Sequence, residues 1–407
     1  MRRCAVLTLL SLGLAAGIAA CGVDPGSTSA VTLSVWGPQE DQADAASWLQ
    51  TQEAAFQAAH PEWDITWKNS VASESDAATA VKQDAPAAAD VYMFASDQLG
   101  TLVEASAIGL LPPEALAQVK EQNSDAVIVN SVTGTDGQVY GVPFTGNTWF
   151  MYYDKSVFTE DDVKSFDTML AKAKVAFPLD NSWYMPSFYM GNGCTLYGES
   201  GTDQGAGVDF AGTKASDVTA YLAGLLANSN FVVDSNGAGL AGIQNGSVSA
   251  YFSGSWDAAA VQQALGDNFA AAPPPSFRLD GQSVQIKAFA GSKAVAFNPY
   301  TSHPKAAAAF AAFLGSTEAQ QSHYEMRGII PTDQSLTGDS AIAADLVAIA
   351  QISTVANSSV LQPGVPAMVS FWDPTENFGK ALVAKEVTAA NAADKTAAWN
   401  KALNAGS

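Results

Sequence analysis

Residues 31–67 read VTLSVWGPQEDQADAASWLQTQEAAFQAAHPEWDITW, and this stretch decides the fold class. It opens with an alternating, β-branched segment at residues 31–36, which predicts a strand. Residues 44–59 carry apolar side chains at helical spacing, and His60-Pro61 ends the predicted helix. Residues 63–67 predict a second strand. A strand, a helix and a strand in this order indicate an α/β fold with a mostly parallel sheet.

The same alternation continues along the chain of 407 residues, which is long enough for two domains. Further strands are predicted at residues 90–94, 149–153, 246–252 and 289–297. Further helices are predicted at residues 76–82, 165–174, 216–227, 304–314, 316–326, 341–355 and 377–403.

The N-terminus has the features of an export signal. Arg2 and Arg3 precede a short apolar stretch that ends in Ile18-Ala19-Ala20-Cys21. This tetrapeptide resembles the bacterial lipoprotein cleavage box, in which the cysteine is acylated. We therefore predict a signal peptide at residues 1–20, lipidation of Cys21 and a flexible tether at residues 21–30. The alternative is simple cleavage after Ala20.

The composition excludes several classes of function. A net charge of −21 with only 14% charged residues argues against binding nucleic acid or an anionic lipid surface, but does not disfavour a neutral ligand. Cys194 has no disulfide partner once Cys4 and Cys21 are accounted for, and it is predicted to be buried. No nucleophile–base pair and no metal-ligand cluster is apparent, so we expect neither catalytic residues nor a metal or cofactor. The loop GTDQGAGVD lacks the full spacing of a calcium site.

Four segments together resemble the family 1 extracellular solute-binding proteins, which include maltose- and maltodextrin-binding proteins. They are the opening strand at 31–36, ADVYMFASDQLG at 89–100, GSWD at 254–257, and PGVPAM at 363–368 followed by Phe371-Trp372. Each motif is weak alone, whereas their order behind a lipoprotein signal is specific. The resemblance covers nearly all of the chain after the signal.

The resemblance implies two α/β lobes joined by three crossing segments, with a ligand cleft between the lobes. Residues 31–144 and 293–331 would form the first lobe, and residues 145–292 and 332–407 the second. It also implies a monomeric, lipid-anchored protein outside the cell. Such a protein captures an oligosaccharide, most simply a maltodextrin, and delivers it to the membrane permease subunits of an ABC importer.

Candidate ligand residues also follow from the resemblance. Aromatic faces would stack on sugar rings, and carboxylates or amides would bond the hydroxyls. By position, Asp97 and Asn147 match polar ligand positions, and Phe94 stands where a relative carries tryptophan. The acids Glu40, Asp41 and Glu74 follow predicted strands, as does Asp76, whereas Asp257 and Asp373 follow tryptophans. The expected stacking residues are Trp256, Trp372 and either Trp183 or Tyr184.

Three other functions stay open at this stage. Paired carboxylates would also suit a secreted carbohydrate-active enzyme. The same fold could bind another oligosaccharide, a polyol or a glycerol phosphodiester, although the last would need cationic partners. A structural or adhesive lipoprotein is the third alternative.

Overall fold

The computed structural model describes residues 28–44 and 46–405. The predicted signal peptide, the lipidation site Cys21 and most of the tether lie outside the described residues. The strands are β1 Ser29–Gly37, β2 Trp63–Val71, β3 Val91–Ala95, β4 Val142–Thr148, β5 Phe150–Asp154, β6 Val175–Phe177, β7 Thr195–Leu196, β8 Val208–Asp209, β9 Phe231–Val233, β10 Ala250–Ser253, β11 Phe269–Ala272, β12 Ser276–Leu279, β13 Gln282–Gln285, β14 Ala288–Phe297 and β15 Ser359–Leu361.

The α-helices alternate with these strands through most of the chain. They are α1 Trp48–Ala59, α2 Glu74–Gln83, α3 Leu99–Glu104, α4 Pro113–Gln122, α5 Ala126–Ser131, α6 Phe166–Lys172, α7 Ser187–Gly191, α8 Gly212–Leu225, α9 Ala238–Asn245, α10 Ala258–Leu265, α11 Pro304–Leu314, α12 Thr317–Arg327, α13 Ser340–Ala344, α14 Leu346–Asn357, α15 Trp372–Val383 and α16 Ala392–Leu403. Short 3-10 turns include Gln39–Asp41, Ser96–Gln98, Ser255–Asp257 and Pro366–Ser370.

Two sheets form the two halves of the molecule. The first has the order β15-β14-β3-β1-β2, with β4 also paired to β14, and β1 is parallel to both β2 and β3. The second has the order β11-β5-β10-β6-β9, in which β6 is parallel to both β9 and β10. The predicted α/β fold class is therefore confirmed, but both sheets are mixed, because β14 is antiparallel to β3 and β4, and β5 is antiparallel to β10 and β11.

Apolar cores cover both faces of each sheet. In β3 every residue is buried, and alternate side chains point to opposite faces. Val91 and Met93 pack with Phe56 and Phe310 on one side, whereas Tyr92 and Phe94 pack with the α3 side of the sheet on the other. A strand buried on both faces explains why DVYMF reads as a continuous apolar run and not as an alternating one.

The chain passes between the two sheets more than once. β4 belongs to the first sheet and β5, one residue later, to the second. β14 brings the chain back, and Pro331 bridges to Thr145 of β4. By hydrogen-bonded register, residues 145–148, 288–292 and 359–361 all lie in the first sheet. The predicted boundaries assigned these three stretches to the second lobe, so we now propose the same two-lobe division with boundaries that follow the sheets.

The C-terminal helix predicted at residues 377–403 is instead two helices, α15 and α16. The chain turns between them at Lys385, which adopts a left-handed backbone conformation with φ of 60°. Side chains on both helices still reach one core, since Phe378 stacks on Trp399 with ring centroids 4.4 Å apart. The sequence carries no glycine or proline at this turn, so its helical pattern continued through it. Within the described residues, none of the helices has the length and apolar character needed to cross a membrane.

A buried carboxyl group makes the first lobe sensitive to pH. Glu53 of α1 is 5% exposed and accepts a hydrogen bond from Asn69 Nδ2 at 2.7 Å. Burial raises the pKa of Glu53 from 4.5 to about 7, and the Asn69 bond only partly opposes the shift. Because the folded pKa lies above the unfolded value, its contribution to stability is fully present below pH 4.5 and is lost as the pH rises through about 7.

We expect Glu53→Gln to remove this pH dependence while keeping an acceptor for Asn69. Relative to the wild type, the variant should gain up to about 3 kcal/mol in free energy of unfolding between pH 4.5 and pH 8. Urea titrations at several pH values measure it. Glu121→Gln, at an exposed position of α4, is the matched control and should show no such trend. A constant difference between Glu53→Gln and wild type across this pH range would contradict the prediction.

Candidate ligand-binding cleft

The parallel strands of the first sheet bring three carboxylates to one edge. Glu40 lies in the turn after β1, Glu74 begins α2 after β2, and Asp97 lies in the turn after β3. The carboxyl ends of parallel strands meet at the same edge of a sheet, which is where ligands bind in open α/β folds. This edge forms the first wall of the candidate cleft.

Asp97 is half-buried and held by a polar neighbour. Its Oδ2 accepts a hydrogen bond from Gln98 Nε2 at 3.0 Å. Burial raises the pKa of the Asp97 carboxyl, while the Gln98 bond and the charge of Lys82 work in the opposite direction. The amide of Gln98 is in turn held through its Oε1, which accepts from Lys82 Nζ at 3.2 Å. The wall thus offers a carboxylate acceptor that is sheltered from water.

Lys293 is a residue of this wall that the sequence reasoning missed. It lies in β14 opposite Ala95, the last residue of β3, and its Nζ is 2.9 Å from Glu74 Oε1. The signal was a single lysine inside the otherwise apolar strand AFAGSKAVAF. The pair gives the first wall a cation and an anion side by side.

Asp76 is also predicted at this rim. It is exposed, and its carboxylate accepts a hydrogen bond from Ser73 at the start of α2.

Asn147 lies at the base of the candidate cleft, near the point where the chain passes from the first sheet to the second. It pairs with Gly291 across β4 and β14, and it is partly exposed. Gly291 in turn lies against Ser96, since a Cβ on that glycine would come within 2.5 Å of Ser96 Oγ. Asn147 and Asp97 are therefore brought to one region by three adjacent strands.

The second sheet supplies the aromatic wall. Trp183 and Tyr184 lie in the turn after β6, and Trp256 lies in the turn after β10. Strands β6 and β10 are parallel neighbours, so both turns lie at the same edge of the sheet. The Trp183 and Trp256 rings are 6.0 Å apart at 35°, and Trp256 is 57% exposed. Two of the predicted stacking residues thus form one aromatic surface, which we call the tryptophan pair.

A pocket of about 420 Å³ opens beside the tryptophan pair. Asp257 lines it and accepts hydrogen bonds from Ser253 Oγ at 2.6 Å and from Tyr251 OH at 3.1 Å. Tyr184 also lines the pocket and stacks on Trp149. Burial, followed by the charges of Asp257 and Asp234, raises the pKa of the Tyr184 hydroxyl, so it stays a neutral donor. The lining of the pocket therefore presents aromatic rings next to hydroxyl and carboxylate oxygens.

Residues 362–372 lie between the two walls. Gly364 is so close to α3 of the first lobe that a Cβ on Gly100 would come within 2.0 Å of its carbonyl oxygen. Phe371 is buried in the core of the second lobe. Trp372 is half-buried and packs edge-on against Phe371 and Phe289, with ring centroids 5.4 and 6.0 Å away. Trp372 therefore lies at the junction, with part of its ring accessible, and Asp373 beside it is exposed.

Two predicted site residues are structural instead. Phe94 is completely buried in the first-lobe core, so it does not reach the cleft surface. Asp41 is 3% exposed, and its Oδ1 lies 3.0 Å from His323 Nε2 and 3.3 Å from Arg327 Nε. It anchors the turn after β1 to α12, while its neighbour Glu40 points to solvent. Adjacent acids in one loop cannot be told apart from the sequence alone.

The described residues contain no group of three or more His, Cys, Asp or Glu side chains suited to hold a metal ion. Cys194 is a buried free thiol, and burial raises its pKa to about 12. A thiol with that pKa is an inert packing group at neutral pH.

Comparison with known proteins agrees with this architecture. The family model for bacterial extracellular solute-binding proteins matches residues 52–351. The chain belongs to the bacterial extracellular solute-binding proteins. The predicted family is thereby confirmed.

Several proteins similar to this chain were solved with a sugar-like ligand or are named after the oligosaccharide that they bind. A solved structure with acarbose is 46% identical, with a TM-score of 0.84 over 94% of this chain and 100% of that chain. The maltodextrin-binding protein MalE1 from L. casei, solved without ligand, is 31% identical, with a TM-score of 0.85 over 91% and 98%. A maltooligosaccharide ABC transporter solute-binding lipoprotein of Streptococcus pneumoniae is 26% identical over 71% of this chain and 70% of its own length.

We expect Asp41→Ala to weaken the fold more than it weakens ligand binding. Removal of a buried acid that pairs with His323 and Arg327 should lower the free energy of unfolding by about 2–4 kcal/mol, because Arg327 loses its counter-charge and His323 Nε2 loses its hydrogen-bond partner. Glu40→Ala, one residue earlier and exposed, is the control and should change it by less than about 0.5 kcal/mol. Urea denaturation measures both. Equal stability of the two variants would show that the anchor assignment is wrong.

Proposed function

We propose that this protein captures a maltodextrin in the cleft between its lobes and delivers it to the permease subunits of an ABC importer. The observation that carries the proposal is the tryptophan pair, placed next to hydroxyl and carboxylate groups on the second lobe. Carboxylate, amide and lysine groups from the first lobe complete the set. The ligands named for the similar proteins support an α-glucan.

The chemistry of a sugar suits these two walls. A pyranose has apolar C–H faces, which stack on the indoles of Trp183, Trp256 and Trp372. Covering roughly 100 Å² of ring face is worth about 2–3 kcal/mol. The sugar hydroxyls form hydrogen bonds with Asp97 and Glu74 on one lobe and with Asp257 on the other. The amide of Asn147 forms a further hydrogen bond at the base of the cleft. Each bond to a charged group contributes about 1.5–3 kcal/mol when water is excluded.

A binding role, without catalysis, also accounts for the acids. Asp257 is engaged by Ser253 and Tyr251, and Glu74 is paired with Lys293, so each is held as a fixed acceptor. A glycosidase would need one carboxyl as a proton donor beside the scissile bond. Membership of a solute-binding family supports the same interpretation. We therefore propose that the protein is not an enzyme, and that it acts as a monomer on a lipid anchor.

The first experiment is a calorimetric titration with maltotetraose and acarbose, with cellotetraose as a β-linked control. We expect the two first ligands to bind and to raise the melting temperature by mass action, and cellotetraose to bind at least tenfold more weakly. Chromatography of the maltotetraose after long incubation should show no shorter product. Absence of binding to all three, or hydrolysis of the maltotetraose, would contradict the proposal.

We expect Trp256→Ala to weaken maltotetraose binding by about 10- to 100-fold, because one ring face of the sugar loses its apolar cover. Since Trp256 is exposed, the melting temperature without ligand should change little. Tyr300→Ala is the matched control: this tyrosine is 53% exposed and follows β14 at the opposite edge of the first sheet from the cleft. Unchanged affinity of Trp256→Ala for maltotetraose would show that Trp256 does not contribute to the binding site.

We expect Cys21→Ala to release the protein from the membrane. The cysteine thiol is the only group at this position that can take the proposed diacylglycerol, and stable anchoring needs more than one acyl chain. Fractionation of expressing cells measures the membrane-bound share, and labelling with a radioactive fatty acid tests acylation directly. Continued membrane association and labelling of the variant would disprove lipidation at Cys21.

A further inference from the structure

One hydrogen bond reaches from the first sheet to the tryptophan pair. Trp183 Nε1 donates to Gln362 Oε1 at 2.7 Å. Gln362 is only 6% exposed and directly follows β15, and its backbone N donates to Ala290 O of β14 at 2.8 Å. The acceptor is therefore fixed by the first sheet, whereas the donor lies in a turn of the second lobe.

The Trp183 ring is only partly buried where it packs against the apolar core of the second lobe, and its N–H makes a directional contact with Gln362. The backbone N of Trp183 is held by Asn181 Oδ1 at 2.8 Å, which fixes the turn but not the indole. The ring contacts Tyr184 edge-on at 5.3 Å and the exposed Trp256 at 6.0 Å. An indole has one hydrogen-bond donor, so a single directional bond decides which way its face points.

We propose that Gln362 is a positioning residue that sets the plane of Trp183 and thereby completes the tryptophan pair. It acts through Trp183 and not by contact with the sugar. The inference rests on the proposed function, because it assumes that the pair stacks on a sugar. It also gives the first sheet a part in an aromatic surface that otherwise belongs to the second lobe.

A double-mutant cycle tests this mechanism. Gln362→Met keeps the length of the side chain and removes the acceptor, whereas Trp183→Phe keeps an aromatic face and removes the donor. Gln362→Glu keeps an acceptor and serves as the conservative rescue. Calorimetry measures the dissociation constant for maltotetraose in each single variant and in the double variant. Melting temperatures without ligand report whether each variant folds.

We expect Gln362→Met to weaken binding by about 5- to 10-fold, which corresponds to the loss of one hydrogen bond. The double variant should bind as Trp183→Phe does, because no donor is left for Gln362 to orient. Gln362→Glu should stay within about threefold of wild type. A merely structural role for Gln362 would lower the melting temperature without this pattern in affinity.

Two results would overturn the inference. Unchanged affinity in Gln362→Met is one, and a double variant weakened by the product of the two single effects is the other, because it shows that Gln362 acts independently of the indole N–H. These outcomes differ from failure of the proposed function. If the wild type binds no maltotetraose and Trp256→Ala changes nothing, both proposals fail; if the wild type binds and the cycle is additive, only this one does.

Discussion

The parallel direction of β1, β2 and β3 is the constraint on which the cleft depends. Because the three strands run the same way, every segment that leaves them emerges at one edge of the first sheet. The second sheet repeats the arrangement with β6, β9 and β10. Polar residues from distant parts of the sequence therefore meet without any loop being long. The helices that return the chain bury both faces of each sheet, and the edges at the carboxyl ends of the parallel strands are where open α/β folds bind ligands.

Much of this arrangement could be predicted from the sequence, because it is encoded in local patterns. Alternating strands and capped helices indicate the α/β class, and turns after strands indicate the edge on which Glu40, Glu74 and Asp97 lie. The tertiary partners of single residues are not encoded locally. Asp41 lies next to Glu40 in the same turn, yet it is drawn inward by His323 and Arg327 from a helix about 280 residues later. Phe94 belongs to the same motif as Asp97, but it lies within β3, which is buried on both faces, whereas Asp97 lies in the turn after that strand.

The electrostatics of the cleft are local and differ from those of the whole chain. The protein is strongly acidic, with a net charge of −21. At the first wall, however, Glu74 faces Lys293, and Lys82 lies near Asp97. Two carboxylates of the first wall therefore have a cation beside them, which suits a neutral ligand rich in hydroxyls. An unpaired acidic cleft would instead favour cations, and net charge alone does not distinguish the two.

The exposed ring of Trp256 shows how the chain maintains an apolar surface in water. The ring lies over Gly254, where a Cβ would come within 2.0 Å of the indole. Any larger residue would push the ring outward and break its contact with Trp183. Glycine is thus needed two residues before the tryptophan for lack of space, and not for an unusual backbone angle, since its φ is −98°. The glycine of the Gly-Ser-Trp motif therefore determines how closely the Trp256 ring lies to the edge of the sheet. In the proposed site, this position and the orientation of the neighbouring indole would decide whether a flat sugar face can lie on both rings at once.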